Sequence, residues 1–140
     1  MSALQDFISK LEKDLQTRLQ VGVFDTPRDG GKSNAEVAAY MEYGTDSVPA
    51  RPFLQPGIRE FAPRLAGYVA QAVNASMNGQ SPDPIMASAG QNAANTIRGY
   101  VQANNIAPSL AEATVQAKGH DHALIDTEQL IHAIDFEVTK

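Results

Sequence analysis

Two long segments in the middle of the chain carry apolar residues at helical spacing, and they constrain the fold more than any other feature of the sequence. The first spans 57–77, and the second runs from the break at 78–84 to about residue 103. Both patterns predict long amphipathic helices. The apolar stripe of the first consists of Ile58, Phe61, Leu65, Tyr68, Ala72 and Val73. Because proline is best tolerated in the first helical turn, Pro63 predicts that this helix begins near Ala62.

Two short segments near opposite ends of the chain alternate between apolar and polar residues, as half-buried strands do. The residues that share an apolar face are Val21 and Val23 in one segment, and Ile134, Phe136 and Val138 in the other. We therefore predict that 19–24 and 133–139 pair in a small antiparallel sheet, packed against several helices of which two are long. This is an α+β fold of one domain, 1–140.

Shorter helices are predicted from apolar periodicity and from capping residues, at 4–15, 34–43, 109–118 and in a turn at 126–130. A serine followed three residues later by glutamate forms a capping box, and this pattern begins at Ser33 and again at Ser109. Gly44 is a natural stop for the helix at 34–43. In the second long helix, Asp83 and Pro84 suit the cap and the first helical position.

Three prolines punctuate residues 45–56, which predicts an extended arm rather than a helix. Prolines stiffen such a segment and lower the entropic cost of ordering it at a contact. Arginine and aromatic side chains are enriched where protein interfaces bind most strongly. We therefore predict a subunit interface formed by Pro49, Arg51, Pro52, Phe53 and Leu54. A rigid loop whose Phe53 fills the core of its own chain accounts for these residues equally well.

The charge and composition exclude several classes of function. The net charge of -5, from 11 basic and 16 acidic residues, argues against a dedicated binder of duplex DNA. The chain has no cysteine, so disulfides, thiolate metal sites and a cysteine nucleophile are excluded. No stretch approaches the ~20 apolar residues of a membrane span. The first ten residues lack the apolar run of a secretory signal, so neither a leader nor membrane association is expected.

The feature closest to an enzyme motif is Gly30–Ser33 (Gly-Gly-Lys-Ser), which lies between a strand and a helix as a phosphate-binding loop does. The full motif needs a glycine where Thr26 stands, so a turn and a helix cap account for the stretch. His120 and His122 flank an aspartate in a predicted loop, which is a weak metal site. The sequence thus predicts no catalytic residue, cofactor or metal site. A nucleotide hydrolase using Gly30–Ser33 and a small nucleic-acid-binding module remain as alternatives.

Four patches of sequence follow one another in a characteristic order from about Leu19 to Lys140. They are the strand at 21–24, the helix that ends in Tyr-Gly-Thr at 43–45, Val-Pro-Ala-Arg-Pro-Phe-Leu at 48–54, and residues 110–118 followed by Leu-Ile-Asp-Thr at 124–127. In these patches the chain resembles the tail-completion and head–tail joining proteins of long-tailed bacteriophages, also described as minor tail, virion morphogenesis or neck proteins. Glu128 departs from the pattern, because this family usually has glycine after the Asp-Thr pair.

The resemblance implies a structural virion protein, not an enzyme, that forms a ring at the head–tail interface (neck) or at the head-proximal end of the tail. Such a ring joins tail to head and lines the DNA passage, through which phage DNA passes without sequence-specific binding. The implied partners are further copies of the chain, together with neighbouring neck, connector and tail proteins. A hexamer would match the symmetry of the tail, and a dodecamer that of the portal. Assembly would take place in the cytoplasm of the host bacterium.

Overall fold

The computed structural model describes residues 2–25, 33–47, 49–104 and 128–140, which form the predicted α+β fold. In chain order the elements are α1 (Ala3–Asp14), β1 (Arg18–Val23), α2 (Asn34–Tyr43), α3 (Leu54–Met77), α4 (Asp83–Ala103), a helix α5 at residues 128–133, and β2 (Ile134–Thr139). The helix predicted at 109–118 lies outside the described residues. Of the turn predicted at 126–130, residues 128–130 are described, and they belong to α5.

The two long helices α3 and α4 pack antiparallel as a helical hairpin. Gly57 near the start of α3 lies against Ile97 of α4, and Tyr68 accepts a hydrogen bond from Asn92 (2.6 Å). A Cβ atom at Gly57 would lie only 2.9 Å from Cγ1 of Ile97, so glycine permits the close approach of the helices. The chain turns at Gly79, whose φ of 81° lies in the left-handed region that glycine adopts without strain.

β1 and β2 form the predicted antiparallel sheet, in a register that places Val21 opposite Phe136. β1 begins and ends one residue earlier than predicted, and β2 begins one residue later than predicted. The sheet packs on α4 at Gly90, where an added Cβ would lie 2.5 Å from the Phe136 ring and 2.8 Å from Leu19. Glycine at this position therefore allows the sheet to lie directly on the backbone of α4.

α3 begins earlier than predicted. Its first residue is Leu54 rather than one near Ala62, so the arm predicted at 45–56 ends at Phe53 and its last part is helical. Pro56 lies in the first turn of α3. Proline is compatible with that position because N–H groups of the first turn have no partner within the helix.

Pro63 lies inside α3 instead of at its start. An interior proline removes a backbone hydrogen bond and costs about 3 kcal/mol. The helix continues because residues on both sides of the proline are buried, including Gly57 and Phe61 before it and Ala72 after it. Tertiary contacts therefore override the local signal by which the sequence predicted the helix start.

Local capping signals are present at the starts of α1 and α2 and at the end of α2. Ser2 and Gln5 form a reciprocal capping box at the start of α1. The predicted cap of α2 is present, since the Ser33 hydroxyl accepts a hydrogen bond from the N–H of Glu36 (3.2 Å). Gly44 ends α2 with a φ of 77°, as expected. In α4 the observed cap is one residue earlier than predicted, so Asp83 is already helical.

The main core lies where α2, α4, α5, β2 and the start of α3 meet. Its largest fully buried side chains are Phe53, Ile97, Val101, Leu130 and Ile134. A second cluster of Phe61, Ala89 and Ala93 lies between α3 and α4. Val21 packs against both clusters, so β1 connects them.

Arg98 of α4 fixes the junction between α5 and β2. Its Nε donates to the carbonyl oxygen of Ile131 (3.2 Å), and its Nη2 donates to that of Ile134. The last carbonyl groups of a helix have no partner within the helix and lie at the negative end of its dipole. A guanidinium group is therefore well placed there, and it holds the start of β2 on α4.

Candidate subunit interface

The arm leading into α3 is held by α2 through backbone and carboxylate contacts. The N–H of Arg51 donates to the carbonyl of Met41 at 2.6 Å. Beyond it, the carboxylate of Glu42 accepts hydrogen bonds from the N–H groups of three successive residues, Phe53 (3.0 Å), Leu54 (2.9 Å) and Gln55 (3.2 Å). These N–H groups begin α3 and have no partner within it. Since Phe53 has no polar side chain for the cap, Glu42 caps α3 from a different helix.

The sequence pattern did not predict this role of Glu42. The residue is 8% exposed and lies on the face of α2 that also buries Ala38 and Met41. A carboxylate on a buried helix face needs hydrogen-bond donors, since burying an uncompensated charge is costly. Its position four residues after Ala38 indicated that Glu42 lies on the buried face of α2. Its hydrogen-bond partners could not be predicted in the same way, because they are backbone N–H groups, which every residue type except proline has.

The five residues predicted to form an interface divide into two groups. Pro49, Arg51 and Pro52 are exposed on the surface. Phe53 is 0% exposed within the main core of its own chain, and Leu54 is half-buried against that core. The structure therefore places Phe53 where the alternative interpretation expected it, and leaves the two prolines and Arg51 as the outward part of the arm.

α2, the helix that holds the arm, also carries two exposed tyrosines. Tyr43 is 77% exposed, and Tyr40, one turn earlier, is also exposed. Tyrosine and arginine are over-represented among residues that dominate binding energy at protein interfaces. Pro49, Arg51, Pro52, Tyr40 and Tyr43 are called the arm surface below.

α1 presents its apolar face to solvent. None of its residues is buried, and Leu4, Phe7 and Ile8 are all exposed, Leu4 to 67%. Towards its C-terminal end α1 lies against the body, where Leu11 and the following Leu15 line a groove against α3 and α4. The apolar periodicity predicted this helix correctly, but not the side from which its apolar face would be covered.

α3 has a second apolar face beside the one that packs on α4. Its exposed members are Ile58, Leu65, Val69, Val73 and Met77. Three residues of the predicted stripe, Ile58, Leu65 and Val73, belong to this exposed face rather than to the core. The single stripe seen in the sequence is therefore two adjacent faces, of which one is covered by α4.

The exposed faces of α1 and α3 meet in an apolar groove of about 390 Å³. Its walls include Leu11, Leu15, Val69, Val73, Met77 and Met86. Exposed apolar side chains that line a groove in this way mark a candidate interaction surface. The exposed apolar residues of α1 and α3 are called the α1 face and the α3 face below.

A polar junction fastens the end of α1 next to this groove. Lys10 lies 2.6 Å from Asp14 and also donates to the carbonyl of Gln80 (2.9 Å), while the Ser76 hydroxyl donates to Asp14. The hydrogen bonds from Lys10 and then Ser76 lower the pKa of the Asp14 carboxyl from its ordinary value. Lys140 completes the junction from the other end of the chain.

Lys140 joins the ends of the chain to the helical hairpin. Its ammonium group lies 2.7 Å from the carboxylate of Asp83 and donates to the hydroxyl of Thr17 at 2.7 Å. It also lies 3.8 Å from Asp14. The junction thus brings together α1, the turn before β1, the start of α4 and the residue after β2.

Most of the enzyme-like features of the sequence lie outside the described residues. Ser33 acts as the cap of α2, while Gly30, Gly31 and Lys32 lie outside the described part of the chain, as do His120 and His122. His132 is exposed on α5. Within the described ranges, no three histidine or acidic side chains are grouped so that they could hold a metal ion.

Comparison with known proteins identifies no relative of this chain. No protein-family model, curated protein or solved structure matches it. Among the helices of the described residues, none combines the length and the apolar character needed to cross a membrane.

Proposed function

We propose that this chain is a structural subunit of a tailed-bacteriophage virion. In this proposal it forms a ring at the head–tail interface (neck) or at the head-proximal end of the tail, and it has no catalytic role. The ordered sequence patches that resemble tail-completion and head–tail joining proteins support this function. The observation that carries it furthest is the presence of two separate exposed surfaces, the arm surface and the apolar faces of α1 and α3, on one small chain.

A ring of identical subunits needs two different surfaces on each copy, because each subunit contacts the next one head to tail. The arm surface adjoins the start of α3 at Leu54, whereas α1 is attached near Ser76 at the other end of the same helix. α3 has 24 residues and is therefore ~36 Å long. The two surfaces thus lie far enough apart to serve two different neighbours.

The charge of the chain is compatible with a channel for DNA. With a net charge of -5, a ring of these subunits would repel rather than retain the phosphate backbone. A ring that DNA must pass through needs such weak binding. We therefore propose that DNA is a transient occupant of the ring, and that the lasting partners are other copies of the chain and the neighbouring neck, connector and tail proteins. A hexamer is favoured over a dodecamer.

The test of this function is the position of the chain in the virion. We expect mass spectrometry to find the chain in purified particles of the phage that encodes it, and electron cryo-microscopy to locate it as a ring between head and tail. Particles made without the chain should accumulate as separate heads and tails. A virion that lacks the chain would refute the proposal, and so would an ATP hydrolysis activity that disappears in Lys32→Ala.

A further inference from the structure

The hydrogen bonds around the sheet show which main-chain groups point away from it. In an antiparallel pair, opposite residues alternate between pairs that exchange both N–H···O bonds and pairs whose N–H and C=O groups point apart. The carbonyl oxygen of Ile134 accepts from a guanidinium of α4, and the N–H of Phe136 donates to the Asp135 carboxylate (2.8 Å). Both residues therefore point away from β1, so their opposite residues Val23 and Val21 point away from β2.

The same alternation includes Leu19, so β1 directs the N–H and C=O groups of Leu19, Val21 and Val23 to its outer edge. Within the described parts of the chain, these six groups have no hydrogen-bond partner. A channel of about 440 Å³ has six successive residues, Leu19–Phe24, as its described walls. Because successive residues face opposite sides of a sheet, a channel that touches all six lies along the edge of the strand. The edge of β1 is thus a row of three donors and three acceptors beside open space.

The outer edge of β2 differs, because side chains already occupy part of it. Arg98 binds the carbonyl of Ile134, and Asp135 binds the N–H of Phe136. Exposed edges are commonly protected from other strands by charged residues, proline or a bulge. β1 has its only charged residue, Arg18, at one end, contains no proline, and pairs with β2 through six residues without a bulge. The edge of β1 is therefore the one suited to pair with a further strand.

The hydrogen-bonding pattern of this edge is complementary to itself. When two copies of β1 lie antiparallel about Val21, Leu19 of each copy lies opposite Val23 of the other, and the two Val21 residues lie opposite each other. Each outward residue then meets an outward residue, so all three donors and all three acceptors of each strand gain a partner. A second copy of β1 therefore satisfies the whole edge.

The side chains are compatible with this pairing. The three outward residues are also the apolar residues of β1, half-buried towards the core, and they meet as the cross-strand apolar pairs that stabilise sheets. On the opposite face, Gln20 lies opposite Gly22 of the second copy. The two Arg18 residues lie at opposite ends of the contact, six residues or ~20 Å apart. No like charges therefore face each other between the two strands.

We infer that β1 of one copy pairs antiparallel with β1 of a second copy about a two-fold axis at Val21, which gives a four-stranded sheet in the order β2-β1-β1-β2. The contact uses the same patch on both copies, whereas the contacts of a ring join different patches, so it goes beyond the proposed ring and does not depend on it. One strand edge is a small interface, so the dimer is weak and forms at high protein concentration.

Disulfide trapping tests both the contact and its register, and the chain has no cysteine of its own to interfere. Full-length Gln20→Cys and Gly22→Cys proteins are mixed at equal concentration under mild oxidation. Gln20 is exposed, and a Cβ at Gly22 meets no atom within 4 Å, so both thiols are tolerated. In the paired strands the two positions lie opposite each other with Cα atoms ~4.5 Å apart, within the range of a disulfide.

Each protein alone is the matched control. Residue 20 lies diagonally to residue 20 of the second copy, at ~7–8 Å, which is outside the range of a disulfide, and the same holds for residue 22. We expect the mixed dimer to form at least about tenfold faster than either self-linked dimer, because pairing raises the effective concentration of the two thiols. Equal rates for the mixed and the self-linked dimers would overturn the inference.

A charge variant tests the dimer without a cross-link. Gln20→Lys combined with Gly22→Lys places lysines opposite the exposed acidic residues of β2 within one chain, which supports its own sheet, but opposite each other between two copies. By sedimentation equilibrium we expect wild type to dimerise as its concentration rises and this variant to remain monomeric. Gln71→Lys combined with Gln91→Lys adds the same charge on the exposed surface of the helical hairpin and should dimerise as wild type does.

Circular dichroism confirms that each variant is folded. A wild-type chain that stays monomeric at high concentration would overturn the inference, and this is the result expected if the edge instead pairs with a strand of a different protein. Dimerisation of the variant at residues 20 and 22 to the same extent as wild type would overturn it too, because the contact would then lie elsewhere.

Discussion

At Glu42, one carboxylate of α2 satisfies three N–H groups of α3, so the position of one helix determines where the other begins. At Gly90, the absence of a side chain decides how closely the sheet approaches α4. The residue type does not predict this structural role at either position. Their effects depend on groups distant in the sequence or belonging to the backbone, and both can be measured by single substitutions.

Replacing Glu42 should destabilise the fold although no apolar contact is lost. Glu42→Ala leaves three N–H groups of α3 without their acceptor, and we expect the free energy of unfolding to fall by about 2–3 kcal/mol, the range for hydrogen bonds to a charged group. Glu42→Gln keeps one acceptor oxygen and should lose less. Urea unfolding measures both. Glu60→Gln on the exposed side of α3 is the control, expected to change stability by less than about 0.5 kcal/mol. Equal effects at 42 and 60 would mean that the cap contributes nothing.

Adding one methyl group to α4 should have opposite effects at two glycines. Gly90→Ala forces Cβ into Phe136 and Leu19, and overpacking of this kind costs about 1–3 kcal/mol. Gly99→Ala meets no atom within 4 Å and should stabilise the helix by about 0.5–1 kcal/mol. Thermal and urea unfolding of both variants give the comparison. If Gly90→Ala were as stable as Gly99→Ala, the sheet would not lie directly on α4.

At the scale of elements, the sequence predicted the strands better than the helix boundaries. Alternation at Val21 and Val23 and again at 134–138 was sufficient to predict the antiparallel pair, because a half-buried strand has one apolar side. The start of α3 was predicted wrongly because Pro63 is a local signal, and burial on both sides of it decides the outcome. The arm residues divided between core and surface for a similar reason, since the sequence does not say which element covers Phe53.

The attachment of α1 should depend on pH through Asp14. Its folded pKa is lowered, so the ionised carboxylate contributes stability that is fully present above the unfolded value, roughly 4, and is lost as the pH falls through the lower folded value. We expect wild type to be more stable than Asp14→Asn at neutral pH, with the difference shrinking below pH about 4. Unfolding curves from pH 7 to about 2.5 test this. In a Lys10→Met background the pH dependence of the difference should weaken, because Lys10 is the largest cause of the shift. A difference that grows on acidification would contradict the assignment.

At the scale of the whole molecule, the apolar residues of one periodic pattern are divided between the core and the exposed surface. Ile58, Leu65 and Val73 follow the same periodicity as Phe61 and Ala72, yet they remain exposed. Periodicity identifies the residues that leave water, but it does not distinguish burial within a chain from burial between chains. This is why the sequence predicted the helices of the fold and an arm contact, and did not reveal the faces of α1 and α3.

The division between core and surface can be tested within the arm itself, where Arg51 is exposed and Phe53 is fully buried two residues later. Phe53→Ala removes a large side chain from the main core and should cost about 3–5 kcal/mol of stability. Arg51→Ala keeps the backbone bond to Met41, because that bond uses the main chain, and should change stability by less than about 1 kcal/mol.

If the arm contacts a neighbouring subunit, Arg51→Ala should nevertheless block incorporation into particles in a complementation assay. A planar guanidinium can bind a carboxylate or several carbonyl groups at once, and alanine cannot replace it. Arg51→Lys should restore incorporation only weakly, and Arg59→Ala, which removes an arginine outside the arm surface, serves as the control for loss of charge. Particles that incorporate Arg51→Ala as well as wild type would show that the arm stabilises only its own chain. Incorporation that follows melting temperature across all four variants would lead to the same conclusion.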